Sequence, residues 1–194
     1  MRFLVLAICL FSLTAWAEAP SDDAWILNTA ESRIVFTSVK ADDIGETHYF
    51  KDFKGHIQPT GDVHLEIALE SVETGIDIRN ERMQKFLFET NLYPRATVAA
   101  KVDLATFETM AIGERRTAPV MLELDIHGID DKFRHEVFVT RIAENRVLIE
   151  TLKPMILHAD DFDLGAGVIK LRELVGLPSI TPVFPITVSL VFEH

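Results

Sequence analysis

The chain has 194 residues, 48% of them hydrophobic, with 30 acidic against 19 basic side chains and a formal net charge of −11 at pH 7. That balance excludes nucleic-acid binding through phosphate neutralisation and broad electrostatic adhesion to anionic membranes. One cysteine, Cys9, excludes a framework of internal disulfides.

The run "MRFLVLAICLFSLTAWA" combines one basic residue, an apolar stretch too short to span a bilayer comfortably, and the small-x-small end Ala15-Trp16-Ala17. It reads as a signal peptide over residues 1–17, or 1–19 if Ala17-Glu18-Ala19 is cleaved instead. The expected location is the periplasm or the exterior. Cys9 leaves with the leader, so a mature chain of about 175 residues must be held by its own core, and residues 24–194 suffice for one domain.

After the polar lead "EAPSDDA", the chain from Trp25 onward is patterned as extended structure. Strands are expected at Arg33 to Lys40 and His48 to Phe53, then most clearly in "VHLEIALES", where Val63, Leu65, Ile67 and Leu69 alternate with His64, Glu66 and Glu70. Further strands follow at Thr97 to Leu104, in "VMLELDIHG" with Val120, Leu122, Leu124 and Ile126 on one face, at Phe133 to Ile142, and at Arg146 to Leu152. The last carries Phe184, Ile186, Val188, Leu190 and Phe192 on one side, with Pro182 and Pro185 marking its beginning as sheet edge. Gly55, Gly61, Gly113, Gly128 and Asn145 are the expected turn markers. The fold class is mainly β: a single antiparallel barrel of about eight strands with one or two short helices, a sandwich being the other way to hide the apolar face.

Two segments break the strand pattern. In "TGIDIRNERMQKFLFETNLYP", residues 74–94, helical winding gathers Met83, Phe86 and Leu87 on one side and Arg82, Lys85 and Glu89 on another. Asp77 is the candidate N-cap, and Pro94 turns the chain back to extended structure. Arg79 falls beside Met83 and Phe86, a cation on an apolar edge. Either its stem covers the core while its head reaches water or a carboxylate, or the head meets an anionic group at a cavity mouth. The second segment, "GAGVIKLRELVGLP", suggests another short helix through Val168, Leu171, Leu174 and Val175.

No local motif for catalysis or a cofactor is legible. The seven histidines form no helical-spacing pair. "HADDFDLGAG" lacks the closing glutamate of a calcium loop, Ser179 lies among prolines, and "GAG" at 165–167 fits no phosphate loop. The expectation is a non-enzyme without metal or cofactor, although catalytic groups distant in sequence can still converge in space.

The run "SVETGIDIRNERMQKFLFETNLYPRATV" resembles the segment of the YceI-like family in which a strand is followed by an Arg-Asp-type helix, an apolar pair and Tyr-Pro. "YFKDFKGHI", "LELDIHGIDDKFRHEV" and "LHADDFDLG" resemble its second strand, its hairpin and a later element. The resemblance implies a lipocalin-like barrel around an apolar tunnel, with polyisoprenoid ligands and export to the periplasm. Arg79, Phe88 and Pro94 match family positions. Asn80 replaces the usual acid, Arg82 or Met83 stands where a histidine is common, and "KADDIG" replaces a histidine-and-glycine loop.

The resulting expectation is a carrier for a polyisoprenoid, isoprenoid quinone or similar amphipathic lipid, with transient membrane contact and no nucleic acid. Val63, Leu65, Ile67, Leu69, Val120, Leu122, Leu124, Phe184, Ile186, Val188 and Leu190 would wall the cavity. Met83, Phe86 and Leu87 would close one side, and Arg79 and Arg82 would meet the head group. The same side chains equally describe a filled core, since periodicity does not separate a hollow barrel from a packed one. The competing functions are an enzyme acting on a lipid or small amphiphile and an envelope stress protein with a protein partner.

Overall fold

A computed structural model describes residues 19–194, so the expected leader and Cys9 lie outside the described residues apart from Ala19. The alternating segments form one antiparallel wall in which several strands are bent. β1 (Trp25–Leu27) leads into β2 (Arg33–Lys40), β3 (Ile44–Phe50) into β4 (Phe53–Ile57), and β5 (Asp62–Ala68) into β6 (Val72–Glu73). β7 (Arg95–Lys101), β8 (Arg115–Ile126) and β9 (Ile129–Ala143) are unbroken, β10 (Arg146–Thr151) leads into β11 (Met155–His158), and β12 (Val183–Glu193) returns to the start. Closure comes from β12, which pairs with β10 through Leu148↔Val191 and with β1 and β2 through Leu27↔Phe192 and Val188↔Ile34. The result is a closed eight-stranded barrel with additional strand segments.

The strand period decides what lies inside. Leu65 and Ile67 are buried, while Glu66 between them pairs outside with Lys54 and Arg95. Gly55, expected at a turn, instead lies within β4 opposite Leu65, where an added Cβ would come within 2.9 Å of the His64 carbonyl oxygen. A close backbone approach explains this glycine. Gly61, Gly113 and Gly128 do occupy left-handed turn positions.

Short helices cover the two ends. α1 (Asp77–Arg82) runs directly into a wider, five-residue-period turn at Met83–Leu87, closed by the Phe88 N–H donating to the Met83 carbonyl at 2.9 Å. α2 (Leu104–Glu108) lies at the opposite end, with Asp103 as its cap, accepting from the Ala105 N–H at 3.1 Å. α3 (Gly165–Val175) packs on the wide turn through Gly167. Three short helices therefore stand where one or two were expected. Asp77 does not cap α1 either: Ile76 is the N-cap, and Asp77 contributes its charge to the first turn.

Along the seam between β9 and β11 the wall has no ladder. β9 pairs with β10 only as far as Val137↔Thr151, whereas β11 pairs with β12. The His135 ring nitrogen Nε2 lies 3.0 Å from the Lys153 carbonyl and bridges the bend.

Candidate functional site

The barrel encloses a cavity of about 180 Å³ whose lining is almost wholly apolar. Trp25, Leu104 and Phe107 line it at the α2 end, and Ile126, Met155 and Leu157 line it toward the helical cover. A second cavity of about 70 Å³ shares Phe36, Phe50, Ile126, Leu157 and Ile186 as walls and is completed by Leu87, Phe88, Phe162 and Phe184. The two adjoin within one apolar interior through these shared residues.

The sequence-derived wall residues fall into three groups. Val63, Leu65, Ile67, Leu69, Val120, Leu122, Leu124, Ile186, Val188 and Leu190 line the larger cavity. Phe184 and Leu87 line the smaller one. Met83 is buried in the core but lines neither, and Phe86 is only half-buried, with the Lys85 ammonium 5.1 Å from its ring centroid. The wide turn explains the difference for Phe86. A five-residue hydrogen-bond period aligns Met83 with Leu87 and Phe88 instead, so Phe88 takes the inward position that a regular 3.6-residue winding assigns to Phe86.

The basic residues depart further from expectation. Arg82 lines neither cavity. Arg79 is held by protein groups: its guanidinium donates to Glu46 Oε2 at 2.7 Å and to the Thr74 carbonyl at 2.7 Å. Of the two alternatives for Arg79, the carboxylate partner is the one present. Glu46 Oε2 also lies 2.6 Å from Lys40 Nζ. Burial works to raise the Glu46 carboxyl, but the hydrogen bonds and charges of Lys40 and Arg79 hold it below the usual carboxylate value.

This ion group belongs to a polar end of the barrel that sequence reasoning missed. Phe36↔His48 and Ser38↔Glu46 are successive same-face pairs across β2 and β3. His48 is 2% exposed, packs against Phe36 with ring centroids 5.1 Å apart, and places Nε2 2.9 Å from Ser38 Oγ. Burial, and then the nearby Arg79 charge, push its pKa from 6.5 down to about 4, so the ring is neutral at pH 7. His48 Nδ1 and Arg79 Nε are both buried without a hydrogen-bond partner. The signal was present in "ETHYF", where His48 and Phe50 share a strand face.

Among the described residues, no group of three or more His, Cys, Asp or Glu side chains converges as a metal site, and no helix is long and apolar enough to cross a membrane.

A closed β-barrel with helical covers and an apolar interior defines a class of protein able to enclose a water-insoluble molecule. The YceI-like domain matches residues 25–192, and the chain belongs to that family. A polyisoprenoid binding domain from Saccharophagus degradans, implicated in plant cell wall breakdown, is 36% identical, with 88% of this chain and 98% of that chain covered and a TM-score of 0.86. BcnA of Burkholderia cenocepacia shares the fold at 19% identity and a TM-score of 0.65, covering 85% of this chain and 98% of that one. The YCEI protein of Campylobacter jejuni does so at 13% identity and 0.55, covering 76% and 84%. Comparison with curated proteins finds no match.

Proposed function

We propose that this protein is a periplasmic carrier that holds a polyisoprenoid or related amphipathic lipid inside the barrel. The observation that carries the reading is the apolar cavity running behind Leu65, Val120, Leu124 and Leu190 within a YceI-like barrel. The 36% identical S. degradans polyisoprenoid binding domain supports the ligand class. The leader-like sequence of residues 1–17 supports export.

The energetics suit binding without covalent chemistry. Each buried five-carbon isoprene unit contributes roughly 3–4 kcal/mol gross, so a few units offset association costs of about 4–15 kcal/mol. The cavity of about 180 Å³ is comparable with engineered apolar cavities of about 150 Å³ that accept one benzene. A longer chain therefore has to merge the two cavities by moving side chains of the shared wall, such as Phe36, Phe50 and Leu157.

Among the described residues, Ser38 and His48, 2.9 Å apart, make a serine–histidine contact of the kind a catalytic pair uses. An imidazole with a pKa of about 4 beside a guanidinium is a weak base, and its Nδ1 has no carboxylate partner to orient it. These features favour holding a ligand over activating a nucleophile.

Vesicles containing a radiolabelled polyprenol, incubated with the purified protein and then removed by centrifugation, test the reading. Label is expected in the protein fraction at close to one molecule per chain. Label remaining wholly with the vesicles contradicts it.

A further inference from the structure

The inner face of β2 and β3 changes character in one step. Phe36 and Phe50 are walls of both cavities, whereas the next same-face positions toward the helical cover are Ser38, His48 and Glu46. Arg79 reaches this face from α1 and is fixed there by Glu46 and the Thr74 carbonyl. The polar group therefore adjoins the apolar lining through the Phe36–His48 contact.

Within that group two nitrogens are buried without partners, His48 Nδ1 and Arg79 Nε. Native proteins seldom leave buried donors unsatisfied, and an orphan of this kind calls for an acceptor. Arg79 Nε–H is a donor only. His48 is neutral, so when Nε2 accepts the Ser38 hydroxyl proton, Nδ1 carries the ring's N–H. His127 Nδ1 is also unpartnered, but its ring lies under Tyr93, at 4.1 Å between centroids, and against Glu89 at the β8–β9 turn. Arg146 Nε and Nη2 also lack hydrogen-bond partners but face Glu193 and Glu31 at 2.9 and 2.8 Å. His48 and Arg79 line neither cavity themselves, but among the described residues they are the two such donors joined to a wall residue of both cavities, through the packing of His48 on Phe36.

We propose that His48 Nδ1–H and Arg79 Nε–H form a polar subsite for a neutral acceptor oxygen, a carbonyl, ether or hydroxyl, of an amphiphile whose tail occupies the barrel. The assignment rests on the carrier reading and deepens it. A neutral oxygen is assigned rather than a phosphate because Glu46, shared between Lys40 and Arg79, leaves the group a single net positive charge, which does not match a dianion. A dianionic head beside Nε would also face the Glu46 carboxylate across the same guanidinium. His48, kept neutral by burial, adds a donor without adding charge. Ser38 acts as a positioning residue by holding His48 Nε2; because a hydroxyl both donates and accepts, the Nδ1–H tautomer is part of the proposal.

The test uses three probes with comparable prenyl tails: farnesylacetone, a neutral ketone; farnesane, a plain hydrocarbon; and farnesyl diphosphate. In wild-type protein labelled with ¹⁵N-histidine, the ketone is expected to shift the His48 Nδ1 resonance and farnesane to leave it in place. His48→Phe is expected to weaken the ketone about tenfold, the scale of one hydrogen bond, with farnesane changed less than about twofold. A ketone that binds without moving the His48 resonance, as when the subsite holds only water, overturns the proposal and leaves the carrier reading standing. Equal losses for ketone and hydrocarbon in His48→Phe, or a diphosphate that binds more tightly than the ketone, also overturn it. Binding of none of the three overturns the carrier reading itself. The NMR arm uses the unaltered protein, so the outcome does not depend on the variant folding.

Discussion

Phe36 on β2 and His48 on β3 are direct cross-strand neighbours whose ring centroids lie 5.1 Å apart, and on the inner face of these two strands the apolar lining gives way to polar side chains at their contact. On one side Phe36 lines both cavities. On the other, His48 meets Ser38 and the Arg79–Glu46 ion pair. One pair of residues thus joins the apolar lining of the barrel to its buried polar group.

The neutral, buried state of His48 gives stability a definite pH dependence. Its pKa falls from 6.5 to about 4 on folding, so between those values the unfolded chain binds the extra proton. The stabilisation is complete above pH 6.5 and is lost as pH falls toward 4. His56 and His64, also lowered by burial, act in the same direction. The His48 share is therefore read from a difference. Between pH 7 and pH 5, the thermal midpoint of wild type should fall further than that of His48→Phe, by about 3 °C. Equal falls in calorimetry would contradict the buried neutral ring.

Filling the cavity should remove capacity without removing the fold. Ala100 lines the larger cavity on β7. Ala100→Phe places a ring in that space and is expected to lower prenyl-lipid uptake by at least about tenfold while shifting the thermal midpoint by no more than about 3 °C. Unchanged uptake would place the ligand elsewhere.

Asn80 anchors the start of α1 to the barrel. Its Oδ1 accepts from the Thr74 N–H at 2.9 Å and from Thr74 Oγ at 2.6 Å, and its amide nitrogen donates to Glu73. Asn80→Ala leaves the buried Thr74 N–H without an acceptor and the Thr74 hydroxyl with only the Ile76 carbonyl at 3.3 Å, and should destabilise the fold by roughly 2 kcal/mol in urea unfolding. Asn80→Asp retains the acceptor but sets a second carboxylate against Glu73, and should recover only part of that loss.

The contact between α3 and the wide turn depends on a missing side chain. A Cβ at Gly167 would meet the Phe86 carbonyl oxygen at 2.5 Å and Leu87 Cα at 2.8 Å, both backbone atoms. Gly167→Ala should therefore cost roughly 1–3 kcal/mol and increase hydrogen exchange in Met83–Leu87. Gly45, where an added Cβ meets nothing within 4 Å, is the control position and should tolerate alanine.

The barrel was legible because Val63, Leu65 and Ile67 follow a period-two pattern that one buried face imposes. What closes it was not. Leu27↔Phe192 joins residues from opposite ends of the chain, and local periodicity carries no information about such a pair. α2 was hidden by its length: five residues give too little periodicity, and only Asp103 ahead of them signals a cap. Winding at a regular helical period placed Phe86 inside, whereas the wide turn after Arg82 brings in Phe88. The apolar wall was readable residue by residue, but the polar end was not. It joins His48, Ser38 and Arg79 across three elements, and their unpartnered atoms exist only in the folded chain.

The most direct measurement of the central claim is lipid identification by mass spectrometry after expressing the chain with its own leader and purifying it from the periplasm without detergent. The carrier account predicts a co-purifying isoprenoid lipid at close to one per chain, depleted in Ala100→Phe. Protein recovered from the periplasm with no extractable lipid, and unable to take up prenyl lipids added afterwards, would contradict it.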